Sequence, residues 1–327
     1  MKNIVRIAFG LLLFTTQCFA QQVPAVEENI PFLVTFGKEG EKSWGDDDFS
    51  QTYFFVIPKF QVQPIYIRVF DPEISGEFDE KKAEYNTKSK FSVYGGKEAF
   101  TAKDVRLKDP GGKYKSGNLL ASKTFISSEV YDGEWYTFGP FNPSEGELVP
   151  EYGGYIFKII AEGLTGDDGN LYKYFLSSSG TENKAIEGGN AFTFEYTFRL
   201  SDNVNDVAHL YPYVEQNVFS IRMSNFDFDN DGEVNIVSMV KKGELSKASG
   251  DNVWVDTEHR IVDQEKKTTL DVQFIKNKKT KIKNNNVTLY VTNQDGNLLP
   301  IYTVPIGGVP QHNSKVLFKQ KKKTAPY

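Results

Sequence analysis

Asp227-Phe228-Asp229-Asn230-Asp231-Gly232 places three carboxylates at alternate positions and closes the run with a glycine. That spacing lets one tight loop aim several hard oxygens at one cation while the glycine permits the sharp turn, so the segment points to calcium. A helical calcium loop of the EF-hand kind would close on a glutamate at its twelfth position. Counted from Asp227 that position is Ser238, and the flanks 218–223 and 234–237 read as strands. The run therefore corresponds to the first half of such a loop set on a β-hairpin. Asp227, Asp229 and Asp231 are the expected ligands, with Glu233 or its carbonyl completing the shell. The same Asn-Asp-Gly also suits an ordinary solvated hairpin turn.

Other acidic turns crowd the first half: Trp44-Gly45-Asp46-Asp47-Asp48, Asp71-Pro72-Glu73 and Gly166-Asp167-Asp168-Gly169-Asn170. Carboxylates this dense repel one another unless a cation or solvent screens them. If the turns meet, Asp46, Asp48, Asp71, Asp167 and Asp168 would hold a second calcium. If they are scattered they are solvated loops, because turns favour Asp and Gly for conformational reasons alone. Trp44 and Trp135 are candidate ligand-binding residues, since flat aromatic faces stack on sugar rings; core filling is the competing use of the same side chains.

Signatures of catalysis are missing. His209, His259 and His312 are far apart in sequence with no HExxH pair, and there is no GxSxG elbow and no phosphate-cradling glycine loop. With 43 acidic residues some glycosidase-like pair could always be chosen, so the acid count carries no weight. The expectation is a protein without catalytic residues. A metal-dependent hydrolase would require the acidic turns to converge with a histidine.

The elements that position these residues are strands. After the N-terminus no long helical periodicity occurs. Phe192 to Leu200 alternates apolar even positions with polar odd ones, as do 270–274, 287–291 and 155–159, while 65–70 is more continuously apolar. Gly-Gly and Asp-Gly turns punctuate these runs. The pattern predicts an all-β chain of two β-sandwich domains, jelly-roll or Ig-like, with a larger one over 21–200, a smaller one over 201–310 and a polar basic tail over 311–327. The polar stretch 97–123 reads as a long surface loop.

The first 20 residues read as an export signal: Lys2 and Arg6, an apolar run from Ile7 to Phe14, then Cys18-Phe19-Ala20 before the expected cleavage. The apolar run is too short to span a bilayer, so no transmembrane span is expected in the mature chain. Cys18 is the only cysteine, so the mature chain would have no disulfide, thiol chemistry or cysteine-bound zinc. Loss of Lys2 and Arg6 takes the formal charge from −5 to −7, which argues against nucleic acid as the main partner.

Five stretches together, SWGDDD (43–48), IYIRVFDP (65–72), FSVYGG (91–96), WYTFGPF (135–141) and EGLTGDDGN (162–170), resemble a group of secreted or surface proteins of Bacteroidetes-type Gram-negative bacteria. The resemblance carries over no catalytic residue. In pattern the first half is also similar to jelly-roll modules such as pre-peptidase C-terminal domains and carbohydrate-binding modules, which implies structural calcium. The destination implied is the periplasm, cell surface or exterior, and the partner implied there is a protein or polysaccharide.

Overall fold

The computed structural model describes residues 21–107, 115–279 and 285–307. The expected signal 1–20, the tail 311–327 and His312 lie outside them. The described chain is all-β, with short 3-10 turns between strands, and its strands form two antiparallel sheets. No helix among the described residues is long and apolar enough to cross a membrane.

Sheet I runs β17 (Trp254–Arg260), β14 (Ser220–Phe226), β20 (Asn286–Asn293), β12 (Glu195–Arg199), β2 (Phe32–Phe36), β10 (Gly169–Ser177), β4 (Ile65–Phe70) and β7 (Trp135–Phe141). Sheet II runs β16 (Lys242–Ser246), β15 (Gly232–Val237), β19 (Asp271–Lys276), β13 (Val207–Val214), β21 (Ile301–Tyr302), β11 (Asn190–Thr193), β3 (Ser50–Pro58), β9 (Gly154–Thr165), β5 (Lys88–Gly95) and β6 (Asn118–Phe125). Short strands add to β10, β9 and β13 outside these paths.

Period-two alternation explains the shared core. Ile65, Ile67 and Val69 of β4, Phe157 and Ile159 of β9, Val272 and Phe274 of β19, and Val287, Leu289 and Val291 of β20 all enter one buried cluster. That cluster draws on both sheets and on both sides of residue 201. Across the expected boundary the pairing is continuous: Phe198 lies opposite both Leu33 and Val287, and Leu200 N–H donates to Asn285 O at 2.6 Å.

The expected strand 192–200 is divided. Residues 190–193 pair in sheet II and residues 195–199 in sheet I, with the passage at Phe194. Thr193 Oγ1 holds the corner, 2.6 Å from Thr52 O and 2.7 Å from Glu195 O. Tyr196, Phe198 and Leu200 join the main core, whereas Phe192 and Phe194 stack in a second cluster with Phe54, Phe100 and Tyr302.

The stretch 97–123 also departs from its expected loop. Residues 118–125 form edge strand β6 against β5, mostly exposed and broken by a bulge, so they lack apolar alternation. Upstream, Phe100 and Val105 are buried against sheet II. The Glu147 carboxylate secures that segment by accepting from the N–H groups of Glu98 (3.0 Å), Phe100 (2.6 Å) and Thr101 (3.0 Å).

Candidate cation sites and an aromatic face

The Asp227 loop is an inter-sheet passage. β14 before it belongs to sheet I and β15 after it to sheet II, so the expected hairpin does not form. Phe228 anchors the passage in the core, 1% exposed and edge-on to Phe274 at 5.2 Å. A second passage, 247–253 between β16 and β17, runs beside it in the opposite direction. The two are laced together: Phe228 N–H donates to Ser249 Oγ (2.9 Å), Asn230 N–H to Ser249 O (2.8 Å) and Asn252 N–H to Asp227 Oδ1 (2.6 Å).

This lacing brings in a carboxylate that the sequence spacing does not point to. Asp227, Asp229 and Asp251 each offer an oxygen within 4.8 Å of the others, and this is the one such group of acids, histidines or cysteines among the described residues. Asp227 is buried, Asp229 half-buried and Asp251 exposed. Asp231 and Glu233 are not part of the group. Asp231 is held by its backbone, its N–H donating to Phe228 O (2.9 Å) and its carbonyl accepting from Asn277 N–H (2.6 Å), and Glu233 is exposed on β15. Asp227, Asp229 and Asn230 take left-handed φ of 59°, 55° and 55°, a conformation Asn and Asp tolerate best among residues with a Cβ. Asp251 sits in a Ser-Gly-Asp-Asn turn, and only the pairing of the two passages relates it to Asp227.

The acidic turns of the first half serve several ends. Asp46 is buried and accepts from Phe36 N–H (2.8 Å) and Phe49 N–H (2.9 Å); burial, with Asp48 nearby, holds its carboxyl well above the usual range. Asp48 caps the start of β3 through Ser50 N–H and Oγ, both at 3.0 Å. Asp168 is buried and ties down the 82–87 segment, accepting from Lys82 N–H (3.0 Å) and Asn86 N–H (2.9 Å). Asp167 is half-buried beside it and its N–H donates to Asn86 Oδ1 at 3.2 Å. Asp71 is fully buried at φ 53° and accepts through Oδ1 from Gly133 N–H at 3.1 Å. These five do not meet as one ligand set.

Two histidines are committed to local pairs. His209 Nδ1 lies 2.9 Å from Asp271 Oδ1 in the core. His259 Nε2 lies 2.7 Å from Ser246 Oγ and its Nδ1 2.6 Å from Glu244 Oε1. That order of hydroxyl, imidazole and carboxylate is the order of an acyl-transfer relay, and sequence spacing does not reveal it. Ser246 is only 9% exposed and His259 only 3%, which leaves the hydroxyl little open surface for an acyl substrate. Neither of these two histidines joins the Asp227 group.

The two candidate tryptophans occupy different settings. Trp44 is half-buried, packed on Phe36 at 5.6 Å with Lys82 Nζ 4.0 Å above its ring. Its loop closes on β20, where Asn286 Nδ2 donates to Trp44 O (2.9 Å). A Cβ on Gly45 would fall 2.5 Å from Asn286 Cβ, so this position requires glycine. Trp135 stands on edge strand β7, on the face of sheet I away from the core. There the rings form a continuous row: Phe175–Trp135 (6.5 Å), Trp135–Phe70 (5.4 Å), Phe70–Phe78 (5.7 Å) and Phe78–Phe32 (5.7 Å). All but Phe175 are half-buried, and the Arg68 guanidinium lies 5.1 Å over Trp135. A cleft of about 630 Å³ adjoins this row, lined by Phe32, Phe78, Asp79, Glu80, Lys81 and Arg199 among others.

No family model matches the chain, and neither a curated protein nor a solved structure matches it.

Proposed function

We propose that the protein is an exported, non-catalytic β-sandwich of jelly-roll type, with one lobe on either side of residue 201. It binds calcium for structure and a macromolecular partner at the cell envelope or outside the cell. The observation that carries the binding role is the aromatic row from Phe175 to Phe32. Half-buried rings on β7, β4 and β2 and in the 71–80 turn, continuous with buried Phe175 and next to a charged cleft, are the kind of surface that exposes apolar faces for stacking while polar groups fix orientation. The Asp227–Asp229–Asp251 group supports the structural calcium, since it would clasp two inter-sheet passages in a chain without disulfides.

The row also favours a more specific second reading, in which the partner is a polysaccharide. Sugar rings stack on aromatic faces, and the Glu80, Lys81 and Arg199 side chains of the cleft could hydrogen-bond their hydroxyls. Glycan-array binding of the purified full chain, compared with Trp135→Ala, tests it. Binding that falls at least tenfold in the variant, with unchanged melting temperature, supports the reading. An unaltered array profile in the variant would remove the aromatic row from the binding surface.

A further inference from the structure

We infer that the first half carries a second divalent-cation site, of calcium type, formed by Asp71, Asp132 and Asn170. It is separate from the Asp227 group and does not depend on it.

Three chain segments meet at Asp71. Its Oδ1 accepts from Gly133 N–H at 3.1 Å, and its own N–H donates to Glu134 O at 2.9 Å, which fixes it against the 131–134 turn. Asn170 Nδ2 donates to Pro72 O at 3.0 Å, which fixes that amide against the residue after Asp71. Each contact therefore lies within one residue of the next. The Asp132 carboxylate rests on Gly76 of the same 71–80 turn, where an added Cβ would fall 2.0 Å from Asp132 Oδ1.

Within this junction three oxygens are buried without a hydrogen-bond donor: Asp71 Oδ2, Asp132 Oδ1 and Asn170 Oδ1. Asp71 and Asn170 are each 0% exposed. The other carboxylates of the turn are already engaged. Glu73 accepts from Ser75 Oγ and Ser128 N–H, and Asp79 from Ser75 N–H and Leu171 N–H. A buried acceptor left unsatisfied is costly, and a buried carboxylate much more so. Two carboxylate oxygens and one amide carbonyl are hard donors of the sort calcium takes, and backbone carbonyls or water can complete its shell. Lys173 Nζ lies 4.3 Å over the Phe32 ring and 5.7 Å over the Phe70 ring.

The site adjoins the middle of the aromatic row. Asp71 follows Phe70, Asp132 precedes Trp135 by three residues, and Phe78 belongs to the turn that Asp132 covers. A cation there would fix the loops that present Trp135 and Phe78.

Native mass spectrometry of the full chain with calcium, together with calcium titration by calorimetry, tests the inference. The wild type should hold two calcium ions per chain, and Asp229→Asn and Asp132→Asn one each. Asp132 is only half-buried, so its variant should fold even if Asp71→Asn does not. Terbium in place of calcium should give a luminescence signal that Trp135→Phe reduces in the Asp229→Asn background. One calcium that survives Asp229→Asn and weakens at least tenfold in Asp132→Asn would support this site while removing the Asp227 one. Unchanged stoichiometry and affinity in Asp132→Asn, or no calcium bound by Asp229→Asn, would overturn it and assign the three oxygens to buried water.

Discussion

Asp229→Asn should change sign with calcium. Asp229 places an oxygen within 4.8 Å of both Asp227 and Asp251. At that separation two unit charges repel by about 0.9 kcal/mol in the dielectric of water and about 3.5 kcal/mol at an effective value of 20. The pair with exposed Asp251 belongs near the first limit and the pair with buried Asp227 between the two, and salt weakens both. Without calcium, then, the asparagine variant should be more stable than wild type by about 1 kcal/mol. Asparagine keeps the size of aspartate and accepts the left-handed backbone at this position (φ 55°), so no conformational cost offsets the gain. With calcium the order reverses. A site of the extracellular class, with a dissociation constant of about 0.1–1 mM, stabilises the folded chain by about 1.4–2.7 kcal/mol at 10 mM ion. Loss of one of three carboxylates should remove most of that increment. Urea unfolding of both proteins, in chelator and in 10 mM calcium, measures all four quantities. A variant less stable than wild type in chelator, or one with the full calcium increment, would refute the idea that these carboxylates converge on a cation.

Three further expectations follow from buried polar groups. Lys158 is fully buried, its Nζ donating to Ser116 O at 2.8 Å, and burial lowers its ammonium from 10.5 to about 7. The unfolded lysine binds a proton that the folded one lacks between those values, so stability should rise with pH from about 7 to about 10, at no more than about 1.4 kcal/mol per unit; the wild-type minus Lys158→Met difference, followed by urea unfolding, should show that slope, and a flat difference would refute it. Asp168→Ala leaves the N–H groups of Lys82 and Asn86 without their acceptor and should cost about 3 kcal/mol, equally with and without calcium, since that carboxylate is used on backbone. Ser246→Ala should cost about 1 kcal/mol through loss of the His259 hydrogen bond, and wild-type protein should resist a fluorophosphonate probe; covalent labelling of Ser246 would instead make the relay a catalytic one.

Strand content was legible because period two survives wherever one face is buried. The runs at 155–159, 270–274 and 287–291 enter the core as their alternation requires. Connectivity was not legible, for the same reason. When the chain leaves sheet II at Thr193 and enters sheet I at Glu195, even positions stay apolar, so nothing in the hydrophobic pattern marks the passage. β6 was missed because an exposed edge strand has no apolar face to display. Of the three clustered carboxylates, Asp227 and Asp229 were legible from spacing. Asp251 was not, because its place in the group depends on two passages that run side by side although they are separated in sequence.

The acidic turns acquire a common explanation from that topology. Asp46 and Asp48 lie between β2 and β3, Asp71 between β4 and β5, Asp132 between β6 and β7, and Asp168 between β9 and β10. Asp227 and Asp251 lie in the passages β14–β15 and β16–β17. Every one of these connections carries the chain from one sheet to the other. Backbone N–H groups that leave a ladder at such a passage need acceptors, and a buried carboxylate can serve two of them, as Asp46 and Asp168 do. Acid density in the turns is therefore first a consequence of crossing between sheets, which is why composition alone overstates the number of metal ligands. What separates a staple from a ligand is the oxygen left over after the backbone has been served. By that criterion Asp46 and Asp168 are staples, Asp71 and Asp132 retain free oxygens, and Asp227 joins a three-carboxylate group while still holding Asn252 N–H. Cations at the last two places would continue the same task, closing inter-sheet passages in a chain that has no disulfide to do so.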